Sequence, residues 1–218
     1  MRRPVAEADA RRLLSGGPVT LVTSAWHGKN NVMPAAFVTP LSFEPPLVGV
    51  AISPSRHSYD MIRYSEQFAL SIPGRRLLHH VQYLGSVSGA DVDKLELTKL
   101  PTFKALRVEA PLIEGCVAWV ECGVEDALRV GDHVLFVGQV LAAQAEAEAF
   151  DGTWLLGDDD DSKPLHYLGV NFYALLGSRL EARMPKPEAP ERSPEEAFEA
   201  EVEAAQEDEE RRREAEEG

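Results

Sequence analysis

The sequence predicts a mainly β domain with a few short helices, and three observations carry that prediction. Residues 115–128 and 133–143 alternate apolar and polar side chains at the period of two that a half-buried strand requires, with turn residues at 129–132 between them. Residues 18–26 are rich in β-branched side chains; turn chemistry follows at His27-Gly-Lys-Asn-Asn31, and then a second extended stretch at 32–43. The pair Pro45-Pro46 has no N–H to give to a sheet ladder, so it marks a strand boundary before the apolar run at 47–53.

Taken in order, residues 6–15 read as a short helix stopped by Gly16-Gly17 and Pro18. The hairpin of 18–43 and the buried strand 47–53 come next. Residues 58–67 read as a helix with Ser58 as its N-cap and Tyr59, Met61 and Ile62 turned inward, and 68–72 return as a strand. A second short helix is expected over 75–83. Residues 84–100, polar and containing Gly and Ser, suit an ordered loop with one helical turn at 91–95. After the long hairpin, 158–161 form a solvated acidic loop, and 165–176 are apolar with a pattern that does not decide between helix and strand. The domain is expected to span residues 1–183. Residues 184–218 read as a Pro-containing linker and an acidic helical tail that starts at Ser193-Pro-Glu-Glu and offers only Phe198 and Val202 as larger apolar residues.

With 218 residues, 44% of them hydrophobic and 27% charged, the chain can build one continuous core. The net charge of -14 is concentrated at one end: residues 191–218 hold 13 acidic and 4 basic side chains, a net of -9, which leaves -5 for the rest. No cluster of Lys and Arg is available to bind phosphate backbones, so nucleic acid is not an expected partner. The first residues turn acidic before an apolar leader can form and no stretch approaches the ~20 apolar residues of a membrane span, so a cytoplasmic protein with no membrane partner is expected. Cys116 and Cys122 lie on one expected strand, pointing to the same face roughly 20 Å apart at ~3.3 Å per residue; two buried thiols are expected rather than a bridge.

Three stretches have side chains suited to ligand binding. Ser53-Pro-Ser-Arg-His-Ser58 joins a buried strand to a helix start, where Arg56, the hydroxyls of Ser55 and Ser58 and the free N–H groups of the first turn can converge on an anion. The same letters also suit a plain helix cap beside a surface arginine. Gly85 to Lys94 offers Ser86, Ser88, the backbone around Gly89 and the amine of Lys94, and reads equally as a second anion contact or as a surface loop. Around Pro34, Ala35 and Ala36 the side chains are small enough for a planar ring to lie against the backbone, although a tight strand crossing would explain them too. The histidines are scattered, no metal-ligand spacing is present, and no phosphate-loop or dinucleotide-binding glycine motif occurs.

Three stretches in order carry a family resemblance: Asn31-Val-Met-Pro-Ala-Ala-Phe-Val-Thr-Pro-Leu-Ser-Phe-Glu-Pro-Pro-Leu-Val48, Ser88-Gly-Ala-Asp-Val-Asp-Lys94 and Gly131-Asp-His-Val-Leu-Phe-Val-Gly-Gln-Val140. Over roughly residues 19–176 the chain resembles the flavin reductase-like family, in its flavoredoxin branch of FMN-binding split β-barrels. The resemblance implies a Greek-key split barrel, a homodimer with FMN at or near the subunit interface, and reduction by NAD(P)H or by another electron donor. It implies that Met33, Pro34, Ala35, Ala36, Phe37 and Val38 line the flavin ring, that Ser55, Arg56, His57 and Ser58 hold its phosphate side, and that Ser88, Gly89 and Lys94 close the site. His133 would lie where a nicotinamide stacks and is the catalytic candidate. Relatives often place Thr or Ser and a Trp where this chain has Pro34, Ala36 and Phe37, which removes hydroxyl contacts. The leading expectation is an NAD(P)H-dependent flavin reductase passing a hydride to bound FMN, with FAD left open as a replacement. The alternatives are a flavoredoxin-like electron carrier reduced by a protein partner and a non-catalytic flavin-binding module.

Overall fold

The computed structural model describes residues 16–182. The chain divides into two units, residues 1–179 and 180–218, and every strand and helix named below belongs to the first. The helix expected at 6–15 and the tail expected at 184–218 lie outside the described residues.

A seven-stranded antiparallel sheet dominates the molecule. Its strands are β1 (Thr20–Trp26), β2 (Lys29–Ala35), β3 (Val38–Ser42), β4 (Leu47–Ile52), β5 (Gln67–Pro73), β8 (Cys116–Val130) and β9 (His133–Ala145). They stand in the order β2-β1-β5-β8-β9-β4-β3. The two edge strands, β2 and β3, are consecutive in sequence and are separated only by Ala36 and Phe37. Ala35 and Val38, three residue steps apart, can be separated by no more than about 11 Å, so the sheet has to roll until its edges come together there. The edges meet without pairing, and the result is a barrel with a split in its wall. The expected extended segment 32–43 is therefore two strands, broken where the chain crosses from one edge of the sheet to the other. The amide of Ala51 donates to the carbonyl of Phe37 at 2.9 Å and seats this break against β4.

Local chemistry explains most of the boundaries. Pro45 and Pro46 sit in the turn between β3 and β4, where no ladder hydrogen bond is lost. Helix α1 (His57–Ser65) carries the chain from β4 over to β5. It ends at Glu66, whose left-handed backbone turns its N–H onto the carbonyl of Ile62. Helix α2 (Leu78–Ser86), entered through a 3-10 turn at Arg75–Leu77, runs further than expected, and α3 (Lys94–Thr98) starts three residues later than expected. Its N-cap is Asp93, whose carboxylate accepts from the amides of Leu95 and Glu96 at 3.0 Å. Short pairs complete the structure: β6 (Thr102–Phe103) with β7 (Leu112–Ile113), β10 (Phe150–Asp151) with β11 (Thr153–Trp154), and β12 (Leu165–Gly169) with β13 (Phe172–Leu175). The last pair resolves the undecided segment 165–176 as a hairpin.

Strand alternation builds two large apolar clusters, one on each face of the sheet, beside a smaller one of Ile72, Val117, Ala118 and Ala149. Val22, Phe68, Leu70, Cys122 and Phe136 fill the barrel with Ile62 of α1, whereas Leu21, Ala69, Cys116 and Trp119 pack outward against Val81 and Leu84 of α2. The barrel interior is tight at Gly138, where a Cβ would lie 2.5 Å from the Phe68 ring. Cys116 and Cys122 face different clusters, contrary to the expected shared face. A bulge explains this: Ile72 pairs with Ala118 but Pro73 pairs with Cys116, so Val117 is the extra residue and parity along β8 inverts. Both thiols are buried and free. Among the described residues, no helix is long and apolar enough to cross a membrane.

Candidate functional site

A cleft of about 360 Å³ opens at the split, a size typical of small-molecule sites. Six segments supply its walls. The end of β2 brings Met33, Pro34 and Ala35, and the edge crossing brings Ala36 and Phe37. The turn from β4 into α1 brings Ser53, Ser55, Arg56, His57 and Ser58. The end of α2 and the loop after it bring Leu84, Ser88 and Gly89, α3 brings Lys94, and the start of β9 brings His133.

Of the residues singled out from sequence, Ser86 and Val38 stay off this lining. The Ser86 hydroxyl donates to the carbonyl of Tyr83 at 2.7 Å. Val38 turns toward the apolar cluster inside the barrel, because the edge crossing at Ala36–Phe37 changes the direction of the chain just before it. Ser58 is not the N-cap. That position belongs to Arg56, whose side chain makes no capping bond, and Ser58 is instead buried one residue inside the helix.

The cleft has a small-residue end and a polar end. Pro34, Ala35 and Ala36 present short side chains, and α2 packs closely against them: a Cβ on Gly85 would lie 3.1 Å from the Pro34 ring. The Phe37 and His133 rings, with centroids 5.6 Å apart, belong to the same wall. His133 Nδ1 lies 2.8 Å from Asp132 Oδ1, and this hydrogen bond holds the Asp132 carboxyl below its usual range.

At the polar end the hydroxyls of Ser53 and Ser55 are 3.0 Å apart. Lys94 is almost fully buried, and its Nζ donates to the carbonyl of Leu84 at 2.8 Å. Burial pushes the Lys94 ammonium down to about 8, and the nearby positive charge of Arg56 adds to the effect. Among the described residues, no carboxylate pairs with Lys94 or Arg56. An ammonium has three protons to give and only one is used here, so two cations converge on the cleft with donor capacity to spare. Buried charge without a counter-charge is costly. The arrangement suits an anion, with a flat apolar portion extending toward the small residues.

Sequence reasoning did not single out Asn31 as a site residue, yet it lines the cleft and is buried. Its Nδ2 donates to Ser58 Oγ at 2.7 Å. Gly89 is the reason that amide fits, since a Cβ there would lie 2.1 Å from Asn31 Oδ1. Nothing in the local pattern flags Asn31, because its partners are 27 and 58 residues away in sequence.

Residues 12–175 match the family model of the flavin reductase like domain, most of the chain. The chain belongs to that family. A curated relative, the uncharacterized protein YddH of Escherichia coli, is 35% identical over 185 residues, covering 82% of this chain and 97% of its own length. Among solved structures, an FMN-binding protein from Thermus thermophilus with bound p-hydroxybenzaldehyde matches with a TM-score of 0.71 at 29% identity, covering 84% of this chain and all of that one. A flavoredoxin from Methanosarcina acetivorans matches with a TM-score of 0.69 at 25% identity, over 86% and 96% of the two chains. The fold of this flavin reductase-like chain is therefore the one expected from its sequence motifs.

Proposed function

We propose that the chain is an FMN-dependent oxidoreductase, reduced by NAD(P)H, with the flavin held in the cleft at the split. The observation that carries this reading is the convergence of Arg56 and buried Lys94, without an acidic partner among the described residues, on one end of a cleft whose other end is small and apolar. In a chain of net charge -14, two such cations are accounted for by a ligand that brings its own negative charge. FMN has that form, a flat ring joined by a short chain to a phosphate.

Arg56, Lys94, Ser55 and Ser58 bind the phosphate end, helped by the first N–H groups of α1. Pro34, Ala35 and Ala36 let the ring approach the backbone, whose amides and carbonyls then meet its polar edge. Phe37 and His133 border the part of the cleft where a second flat ring can enter. Bound flavin supplies the redox chemistry itself, accepting a hydride from a nicotinamide and handing electrons on, so no nucleophile is required of the protein. The protein's contribution is to bind, orient and shield. The site belongs to a homodimer in this reading, and its ligand is FMN, whose single phosphate meets the charged end of the cleft.

The test is the absorption spectrum of purified protein, followed by anaerobic mixing with NADH and with NADPH. A flavin spectrum that bleaches rapidly with either nicotinamide supports the reading. A yellow protein that stays oxidised with both points to a carrier reduced by a redox protein, and a protein that cannot take up FMN refutes the site.

A further inference from the structure

Asn31 ties three separate parts of the cleft wall together. It sits on β2, paired with Ser24 of β1, and its amide spans from Ser58 in the first turn of α1 to Gly89 in the loop after α2. Asn31 and Ser58 are both almost fully buried, at 4% and 1% exposure. The direction of their hydrogen bond has a chemical consequence. An amide nitrogen can only donate, so Ser58 Oγ accepts from Asn31 Nδ2 and keeps its own proton for another partner. Among the described residues, that proton goes to no protein acceptor. It belongs to a residue that lines the cleft beside Arg56 and His57.

We propose that Asn31 is a positioning residue: its amide fixes the Ser58 hydroxyl as a proton donor toward the anionic end of the ligand, and the bare Cα of Gly89 keeps the amide in that orientation. The inference rests on the reading of the cleft as an FMN site and adds a residue that acts through Ser58. If the carboxamide were reversed, its carbonyl would accept from Ser58 and consume the proton, and its NH2 would be pressed on Gly89 Cα with no acceptor. Replacement by Asp creates a similar situation permanently. The carboxylate accepts the Ser58 proton, leaves only lone pairs facing the cleft, and adds a negative charge near the bound phosphate.

The experiment compares the dissociation constants of FMN and riboflavin, which share the ring and differ in the phosphate, for the full-length protein and its variants, followed by quenching of flavin fluorescence. Wild-type protein is expected to prefer FMN. Ser58→Ala, a small change inside a helix, and Asn31→Ala are each expected to weaken FMN about tenfold while riboflavin shifts less than threefold, the scale of one lost hydrogen bond to a charged group. Asn31→Asp is expected to weaken FMN more than Asn31→Ala does. The double variant Asn31→Ala/Ser58→Ala should be no worse than Ser58→Ala alone, because Asn31 acts through Ser58. Equal losses for FMN and riboflavin, or additive losses in the double variant, would overturn the proposal while leaving the flavin site intact. Wild-type protein that binds neither ligand would instead remove the flavin reading itself.

Discussion

The rings of Phe37 and His133 stand 5.6 Å apart, their planes inclined by 49°, although one ends the crossing between the sheet edges and the other begins a strand almost a hundred residues later. Both line the cleft. Together they form the part of the wall that a nicotinamide ring would meet. His133→Ala is expected to slow flavin reduction by NADH about tenfold, the effect of removing one contact worth about 1.4 kcal/mol, with FMN affinity changed far less. Stopped-flow absorbance measures the first quantity and fluorescence titration the second. Loss of flavin binding without a slower reduction of the remaining complex would move His133 from the donor side to the cofactor side.

Lys94 is expected to make FMN binding depend on pH in a defined direction. Its ammonium is lowered to about 8 in the free protein, and a phosphate settling beside it should raise it again. Binding should therefore take up a proton near and above pH 8, and affinity should fall as pH rises through that value, by up to about tenfold per pH unit. Stability of the free protein goes the other way. An unfolded chain keeps Lys94 protonated up to its ordinary value near 10.5, so between pH 8 and 10.5 it binds more protons than the folded chain and the folded state gains stability with rising pH. Lys94→Met should flatten both trends, as seen by titration and by thermal melts across pH 7–10.

Gly89→Ala drives a methyl group into Asn31 Oδ1 and within 3.0 Å of the His57 ring. Overpacking of this kind costs about 1–3 kcal/mol. FMN affinity should fall along with stability, since the displaced amide belongs to the polar end of the site. A variant that melts like wild type and binds FMN normally would show that the loop at Gly89 simply shifts aside.

Gly138→Ala separates folding from binding. The added Cβ meets the Phe68 ring at 2.5 Å and Cys122 Cβ at 2.9 Å inside the barrel, away from the cleft. A destabilisation of about 1–3 kcal/mol is expected, which lowers the melting temperature by about 2–4 °C per kcal/mol for a domain of this size. Flavin affinity, measured well below that temperature, should be unchanged.

Glu121 is fully buried, and its carboxylate accepts from the amides of Leu106 and Arg107 at 3.0 and 2.6 Å. Hydrogen bonds to a charged group are each worth about 1.5–3 kcal/mol. Glu121→Ala should therefore lower stability by several kcal/mol and speed amide exchange first at Leu106 and Arg107, while Glu121→Gln, which keeps one acceptor, should lose less.

The strands were legible in the sequence wherever a pattern of two ran long enough, as in the hairpin of β8 and β9, or where turn chemistry framed it, as at His27 and Gly28. Most of the cleft was legible, from Met33 to Phe37, Ser88 to Lys94 and His133 through the family-like stretches, and from Ser55 to Ser58 through the helix start that follows a buried strand. What stayed hidden depended on distance in three dimensions. The break at Ala36 and Phe37 follows from the closure of the sheet, and no local propensity announces it. Asn31 matters through partners brought close by the β2 register and the packing of α1. Ser58 looked like a cap because serine before an apolar run usually is one, yet the helix starts a residue earlier and buries it. The two cysteines were assigned one face because a single bulged residue, Val117, leaves no trace in the alternation of side chains.

That bulge turns the thiols into separate reporters. Cys122 lies in the barrel interior and Cys116 in the outer layer beneath α2, and burial pushes the Cys122 thiol up to about 12 and the Cys116 thiol higher still. A thiol of that kind does not react with an alkylating agent until the layer around it opens, because the thiolate is the nucleophile. Pulsed alkylation followed by peptide mass analysis would thus time the opening of each layer in one unmodified chain, without a label or a substitution, and would show whether the barrel and its outer cover come apart together or in turn.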